Sequence, residues 1–244
     1  LLADELRPAL TTVSPPEMDR SHPGAGNLSK AQVPKLLQDA RLVFWDFDGV
    51  VKDSIGAKTE GFRWLVRGAG PKICNRVQRH HESNGGVSRY DKIPLYLKWA
   101  DMPTNATAVH RACVEFSEYV TDAVINSPWV PGVPDYLRNN LGSQVFILVT
   151  ATPSEEIIRI LDQLNLLSCF SDVFGAPTLK GDAVAFSLDH HQMTSDRAVF
   201  VGDSVTDHEA ATSNCVPFLL RRHGLNRHLA ASLREASFDN LGRD

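Results

Sequence analysis

The feature that most constrains the fold is a repeat: apolar runs that each stop at a polar group, each followed by a helical pattern. Residues 41–46 run through Leu42, Val43, Phe44 and Trp45 into Asp46. "VFILVT" (145–150) ends in Thr150, and "AVFVGD" (198–203) ends in Asp203. A weaker strand, "DVFGA" (172–176), lies between those two, and a last short one is expected at 216–220. Helical patterns follow from Ser154 to about Leu164, over about 182–191 and over about 205–213. Strands without polar alternation, spaced by helices, predict a parallel sheet covered on both faces, so the expected fold class is α/β. Sites in such sheets lie outside the carboxyl ends of the strands. Asp46 and Asp48 stand at such an end, where packing alone has no use for two carboxylates.

Between the first two strands the pattern changes. Residues 55–70 place Ile55, Phe62, Leu65 and Val66 on one helical face, and 93–100 and 108–125 also read as helices. "HHESNGGVSRYDK" (80–92) breaks the period and reads as a loop. "SPWVPGVPDYLRNNLG" (127–142) supplies three prolines, a turn and a short helix. The expected division is a flexible N-terminal arm over 1–35, a core over 36–55 and 131–244, and a helical insert over 56–130. The arm is rich in Pro, Ser and Gly and has no period, as an extended linker or a partner-docking segment would be.

A net charge of −4 argues against a general nucleic-acid surface, and no apolar run reaches the ~18 residues of a membrane span. Cys74, Cys113, Cys169 and Cys215 show no close pair and no metal-type spacing, which suggests reduced thiols and a cytoplasmic setting. The chain begins at Leu1 rather than Met, as a fragment or processed form would.

Asp46, Asp48, Thr150, Lys180, Asp203, Ser204 and Asp207 fall in order at or just after successive strand ends. Each alone has an ordinary explanation: a helix cap, a turn former, a solvated lysine. Together they form a constellation that resembles the haloacid dehalogenase superfamily. "DFDGVVKDS" is similar to its first motif, "VFILVTATP" to its second, Lys180 in "GAPTLKGDA" to its third and "VFVGDSVTD" to its fourth. The resemblance implies a Rossmann-like core with an inserted helical cap over 56–130. It also implies a Mg²⁺ ion held by Asp46, Asp203 and the backbone carbonyl of Asp48.

The chemistry of these residues agrees. Phosphoryl transfer needs an in-line nucleophile and neutralised phosphoryl oxygens. Asp46 can attack phosphorus and form an aspartyl-phosphate. Asp48 can protonate the leaving oxygen and then take a proton from water. Lys180 supplies positive charge, Thr150 a hydroxyl, and the N–H groups that follow, beginning at Ala151, can cradle phosphate oxygens. Asp207 is expected to hold the metal's water shell or orient Lys180, with a first-turn helix acid as the alternative. An acid at position 48 fits an ester leaving group, so the expected activity is hydrolysis of a phosphate monoester; the resemblance implies a small one, a sugar phosphate or biosynthetic intermediate. A sugar phosphomutase and a non-catalytic regulatory domain are the alternatives.

Within the insert, "NGGVSRYDK" (84–92) resembles a cap loop that faces the catalytic aspartates, which makes Arg89 and Lys92 candidate substrate contacts. The alternative is a helix connection with Ser88 as N-cap. His80 and His81 are expected at the surface or in packing. From Lys58 to Lys92 eight Lys or Arg face three acids, a net of +5 in a chain of −4. If that bias draws an anionic substrate to the site, kcat/KM falls steeply with added salt. A flat salt response would leave only an exposed helix face.

Overall fold

A computed structural model describes residues 33–139, 142–233 and 235–242. Its centre is β1 (Leu42–Trp45), every residue of which is buried. β2 (Val145–Pro153) pairs on one side, with Leu42 opposite Val145 and Trp45 opposite Leu148. β4 (Ala198–Gly202) pairs on the other, with Leu42 opposite Ala198 and Trp45 opposite Val201. β3 (Asp172–Ala176), β5 (Phe218–Arg221) and β6 (Ala236–Phe238) complete a parallel sheet of order β3-β2-β1-β4-β5-β6. The chain departs from β1 in opposite directions, so a crevice opens at the carboxyl ends of β1, β2 and β4.

Helices cover both faces. Leu42, Phe44, Ile147, Val149 and Phe200 pack with α8 (Lys180–His190), α9 (Val205–Ser213) and α10 (Arg227–Leu233). The alternate residues Val43, Trp45, Phe146, Leu148 and Val201 face the other side. There they meet α1 (Lys35–Asp39), α6 (Val133–Asn139), α7 (Ser154–Gln163) and the helical insert. The insert runs from β1 towards β2 as α2 (Ile55–Leu65), α3 (Pro71–Ser83), α4 (Arg89–Trp99) and α5 (Ala106–Asn126). Phe62 of α2 is its hub, stacked on Phe116 at 4.2 Å and edge-on to Tyr96 at 5.2 Å.

Most elements fall where the sequence places them; four do not. The region read as a loop over 80–92 is a loop only from 84 to 88, because α3 runs to Ser83 and α4 begins at Arg89. The reason for missing α3 is its thin stripe: it buries only Cys74, Val77 and His81, with a histidine at a core position. The short elements α1, α10 and β6 carry too few apolar residues to show a period. Residues 1–32 of the expected arm lie outside the described residues. Val33 is already buried and Lys35 opens α1, so 33–35 belong to the packed structure.

One ion pair ties the insert to the core. Arg89 at the start of α4 meets Glu156 in α7 through two bonds, 2.6 Å (Nη2–Oε1) and 2.7 Å (Nη1–Oε2), with both side chains buried. Nη1 also lies 2.5 Å from Ser117 Oγ. Burial opposes ionisation of Glu156, but the Arg89 guanidinium outweighs it and holds the carboxyl below its usual range. Glu156→Gln leaves Arg89 buried without a counter-ion, at an expected cost of about 3–5 kcal/mol. The wild-type advantage is present above the ordinary glutamate range and fades as pH falls through the depressed pKa of Glu156. Urea unfolding across pH checks both points; a gap between the proteins that is absent at neutral pH, or unchanged in acid, would contradict them.

Candidate active site

The chain passes from β1 into a tight turn. The Phe47 carbonyl accepts from the N–H groups of Val50, Val51 and Lys52, and Gly49 takes φ +80°. A Cβ at Gly49 would stand 2.2 Å from Asp203 Oδ2, so the turn needs glycine for both space and backbone angle. The turn brings Asp46 and Asp48 to the crevice, with the Asp46 N–H anchored on the Val201 carbonyl at 3.0 Å.

Four of the expected residues form one charge cluster. Lys180, the first residue of α8, places Nζ 2.6 Å from Asp207 Oδ1 and 3.1 Å from Asp46 Oδ2. Asp207 Oδ2 accepts from the backbone N–H of Asp203 (3.1 Å), the N–H of Ser204 (3.0 Å) and Ser204 Oγ (2.6 Å). Asp207 thus anchors Lys180 and closes the first turn of α9; both sequence readings of this residue are met in part. Asp203 stands beside the cluster, with His223 Nε2 2.9 Å from its Oδ2 and Asn226 bonded to its carbonyl at 2.8 Å. Carboxylate oxygens of Asp46, Asp203 and Asp207 lie within 4.8 Å of one another.

Burial and the neighbouring Asp207 push Asp46 well above the usual carboxylate range, with Lys180 only partly offsetting them. Burial also raises Asp203, against the hydrogen bond from His223. Burial works to lower Lys180, but Asp207 and Asp46 prevail and raise it. Asp48 behaves differently. It accepts from Ser54 Oγ (2.6 Å) and Thr152 Oγ1 (3.2 Å) and forms an ion pair with Lys58. Burial opposes its ionisation, but Lys58 and these hydroxyls hold it below the usual range.

A cavity of about 330 Å³ opens over these groups, lined by Asp46, Asp48, Thr150, Ala151 and Asp203 from the core. Thr150 is buried and its Oγ1 accepts from the Thr152 N–H at 3.3 Å. The insert supplies Lys58, His81, Arg89 and Lys92 to the same cavity. Its 84–88 loop presses onto α9: a Cβ at Gly86 (φ +74°) would meet Thr206 Oγ1 at 1.9 Å and Ser204 Oγ at 2.4 Å.

The insert residues Arg89 and Lys92 both reach the cavity. Arg89 lines the cavity, but both its terminal nitrogens are engaged by Glu156 and Ser117, so here it joins insert to core rather than offering a free guanidinium. It also starts α4 instead of sitting in a loop, and Ser88 is the N-cap, accepting from the Tyr90 N–H at 3.3 Å. Lys92 is buried in α4. His81 packs on the Phe62 ring at 4.8 Å, as expected, yet also lines the cavity. Of the eight cations counted above, Lys58, Arg89 and Lys92 reach the cavity. Arg63 instead meets Gln78, while Arg67 and Arg76 stack on Trp64 and Trp99.

Sequence reasoning missed Ser54, Lys58, Thr152, Glu156, His223 and Asn226. Ser54 and Lys58 left a faint signal, since Ser54 closes the first motif and Lys58 lies one helical turn further on. His223 and Asn226 left none, because only the fold brings the chain after β5 to Asp203.

Residues 40–213 match the family described as haloacid dehalogenase-like hydrolase. The chain is 27% identical to a phosphoglycolate phosphatase of Aliivibrio fischeri, over 76% of this chain and 86% of that protein. It is 26% identical to the phosphoglycolate phosphatase of Vibrio cholerae, over 84% and 96%. Among solved structures, a predicted phosphoglycolate phosphatase from Haemophilus somnus superposes with a TM-score of 0.68 at 19% identity, covering 83% of this chain and 95% of that one. A β-phosphoglucomutase from Clostridium difficile gives 0.66 at 17%, covering 83% and 92%. The structures bear on the fold alone; the family match spans most of the chain and every strand-end residue described above. The chain belongs to the haloacid dehalogenase-like hydrolase family.

Proposed function

We propose that this hydrolase is a Mg²⁺-dependent phosphatase of small phosphate monoesters that works through an aspartyl-phosphate at Asp46. The observation that carries the reading is the convergence of Asp46, Asp203 and Lys180 beside Asp48 under one cavity. Asp46 Oδ attacks phosphorus, the Asp–O–P bond forms and the bond to the leaving oxygen breaks. Asp48 gives its proton to that oxygen. Asp48 then takes a proton from water, the water oxygen attacks phosphorus, and Asp46 is released with inorganic phosphate. Lys58 keeps Asp48 ionised in this structure, the state required for the second half. For the first half Asp48 must carry a proton, and a phosphate dianion that draws Lys58 away raises its pKa to allow this. Thr150, the Ala151 N–H and Lys180 hold the phosphoryl oxygens.

The residues fit a divalent cation of the Mg²⁺ type. Asp46 and Asp203 are hard oxygen donors whose raised pKa values report crowding that a cation relieves. They would hold it with the Asp48 carbonyl, while the oxygens of Asp207 are already taken by Lys180, Ser204 and backbone N–H groups. When bound, the ion neutralises charge on the transferring phosphoryl group.

We read α2–α5 as a cap over a core of 36–55 and 131–244, with the 84–88 loop as its contact on the site. A small phosphorylated acid or sugar is the fitting substrate class, in line with relatives that act on phosphoglycolate. Four free cysteines suit the reducing cytoplasm. The phosphomutase reading rests on likeness to a β-phosphoglucomutase, which concerns the fold. A non-catalytic role sits poorly with a complete set of reactive groups around one cavity.

Inorganic phosphate release from a panel of phosphate monoesters is expected with Mg²⁺ and not with EDTA. Isomer formation without phosphate release would favour the mutase. Asp46→Asn is expected to lower kcat by more than about 10³-fold while keeping the wild-type circular dichroism. Turnover retained in that variant would remove Asp46 as nucleophile.

A further inference from the structure

Three non-histidine cations line the cavity, and two have a carboxylate partner. Lys58 pairs with Asp48, and Arg89 pairs with Glu156. Lys180, beside the cavity, pairs with Asp46 and Asp207. Lys92 is the exception: it is 2% exposed, and among the described residues no carboxylate lies within ion-pair distance of its Nζ. Its polar neighbour is His81 Nδ1 at 3.0 Å, and the Phe62 ring centre lies 5.9 Å away. A lysine so enclosed costs stability unless an anion meets it. Burial, and then Lys58, lower its pKa to about 7, with Asp48 and Asp203 offsetting them only in part.

His81 extends the same deficit. When Lys92 is charged it donates to Nδ1 and the ring proton sits on Nε2, which is buried with no partner in hydrogen-bond geometry, although the Ile55 backbone lies close enough to favour the charged ring. Two donor groups from adjacent insert helices therefore line the cavity that holds Asp46 and Asp48: Lys92, which meets the His81 ring but no carboxylate, and His81 Nε2, which forms no hydrogen bond. The nearby Phe62 and Phe116 supply no acceptor oxygen. A substrate hydroxyl would satisfy one hydrogen bond but leave the charge of Lys92 uncompensated; an oxyanion satisfies both.

We propose that Lys92, backed by His81, binds a second anionic oxygen group of the substrate, so that the preferred substrates are small phosphate monoesters that also carry a carboxylate or a second phosphate. This rests on the phosphatase reading above and narrows it: the strand ends hold the phosphate to be cleaved, and α3 and α4 select the charge at the other end.

The test uses uncleavable probes, so that it does not depend on turnover. Phosphonoacetate, ethylenediphosphonate and propylphosphonate present a carboxylate, a second phosphonate and an uncharged tail. Calorimetric titration of the Mg²⁺-loaded wild-type protein is expected to show at least about tenfold tighter binding of a doubly charged probe than of propylphosphonate. Whichever doubly charged probe binds tighter identifies the second group. In Lys92→Met the ratio is expected to fall to within about twofold of one. Lys92→Gln serves as the second variant, and circular dichroism establishes that each is folded. Equal affinities in the wild type, no binding of any probe, or an unchanged ratio in both variants would overturn the proposal. A clear preference in a protein that releases phosphate from no ester would leave the anion site standing and sink the phosphatase reading instead.

Discussion

The Lys180 ammonium, held between Asp46 and Asp207, is the interaction on which the site depends. Like charges ~4 Å apart repel by roughly 4 kcal/mol at an effective dielectric of about 20, and Asp46, Asp203 and Asp207 are that close and buried. Burial first, and then repulsion that one lysine lowers without abolishing, keep Asp46 and Asp203 raised. The residual excess of negative charge suits a divalent cation, as proposed above. It also explains why Asp207 is so fully bonded. A carboxylate that accepts from Lys180, Ser204 and two backbone N–H groups is held at a fixed place, and α8 and α9 are held in register around it.

The sheet and the insert divide the remaining work. Parallel pairing of β1 with β2 and β4 sets Asp46, Thr150 and Asp203 at one edge of the crevice. The insert closes the other side, through the Arg89–Glu156 pair and the contact of Gly86 with α9. Asp48 is shared between the two, since Lys58 of α2 and Thr152 of β2 both bind its carboxylate. A movement of the insert that shifts Lys58 would therefore raise the pKa of Asp48, and under the proposed mechanism this couples substrate binding to acid–base chemistry through that ion pair.

Much of this was legible in the sequence, and the reasons for the rest are physical. Strands buried on both faces announce themselves as unbroken apolar runs, and their terminal polar residues mark the crevice, so Asp46, Asp48, Thr150, Lys180, Asp203 and Asp207 could be named in advance. What could not be read was pairing across the chain. Arg89 was placed near the site, but nothing in "NGGVSRYDK" shows that Glu156, 67 residues later, takes up its guanidinium. Lys58 read as one charge on a cationic helix, and nothing marked His223, 20 residues from Asp203 in the chain. Helix α3 escaped because Cys74, Val77 and His81 make a weak apolar stripe. The same histidine, unremarkable by pattern, then proves to be the polar neighbour of the one cavity lysine without a carboxylate.

The central claim is that the buried aspartates converge on a divalent cation, and direct binding tests it most simply. Calorimetric titration of Mg²⁺ into the metal-stripped protein, with no substrate present, should show one site, and Asp203→Asn should lose most of the affinity. Absence of Mg²⁺ binding in the folded wild-type protein, or undiminished binding in Asp203→Asn, would contradict the account.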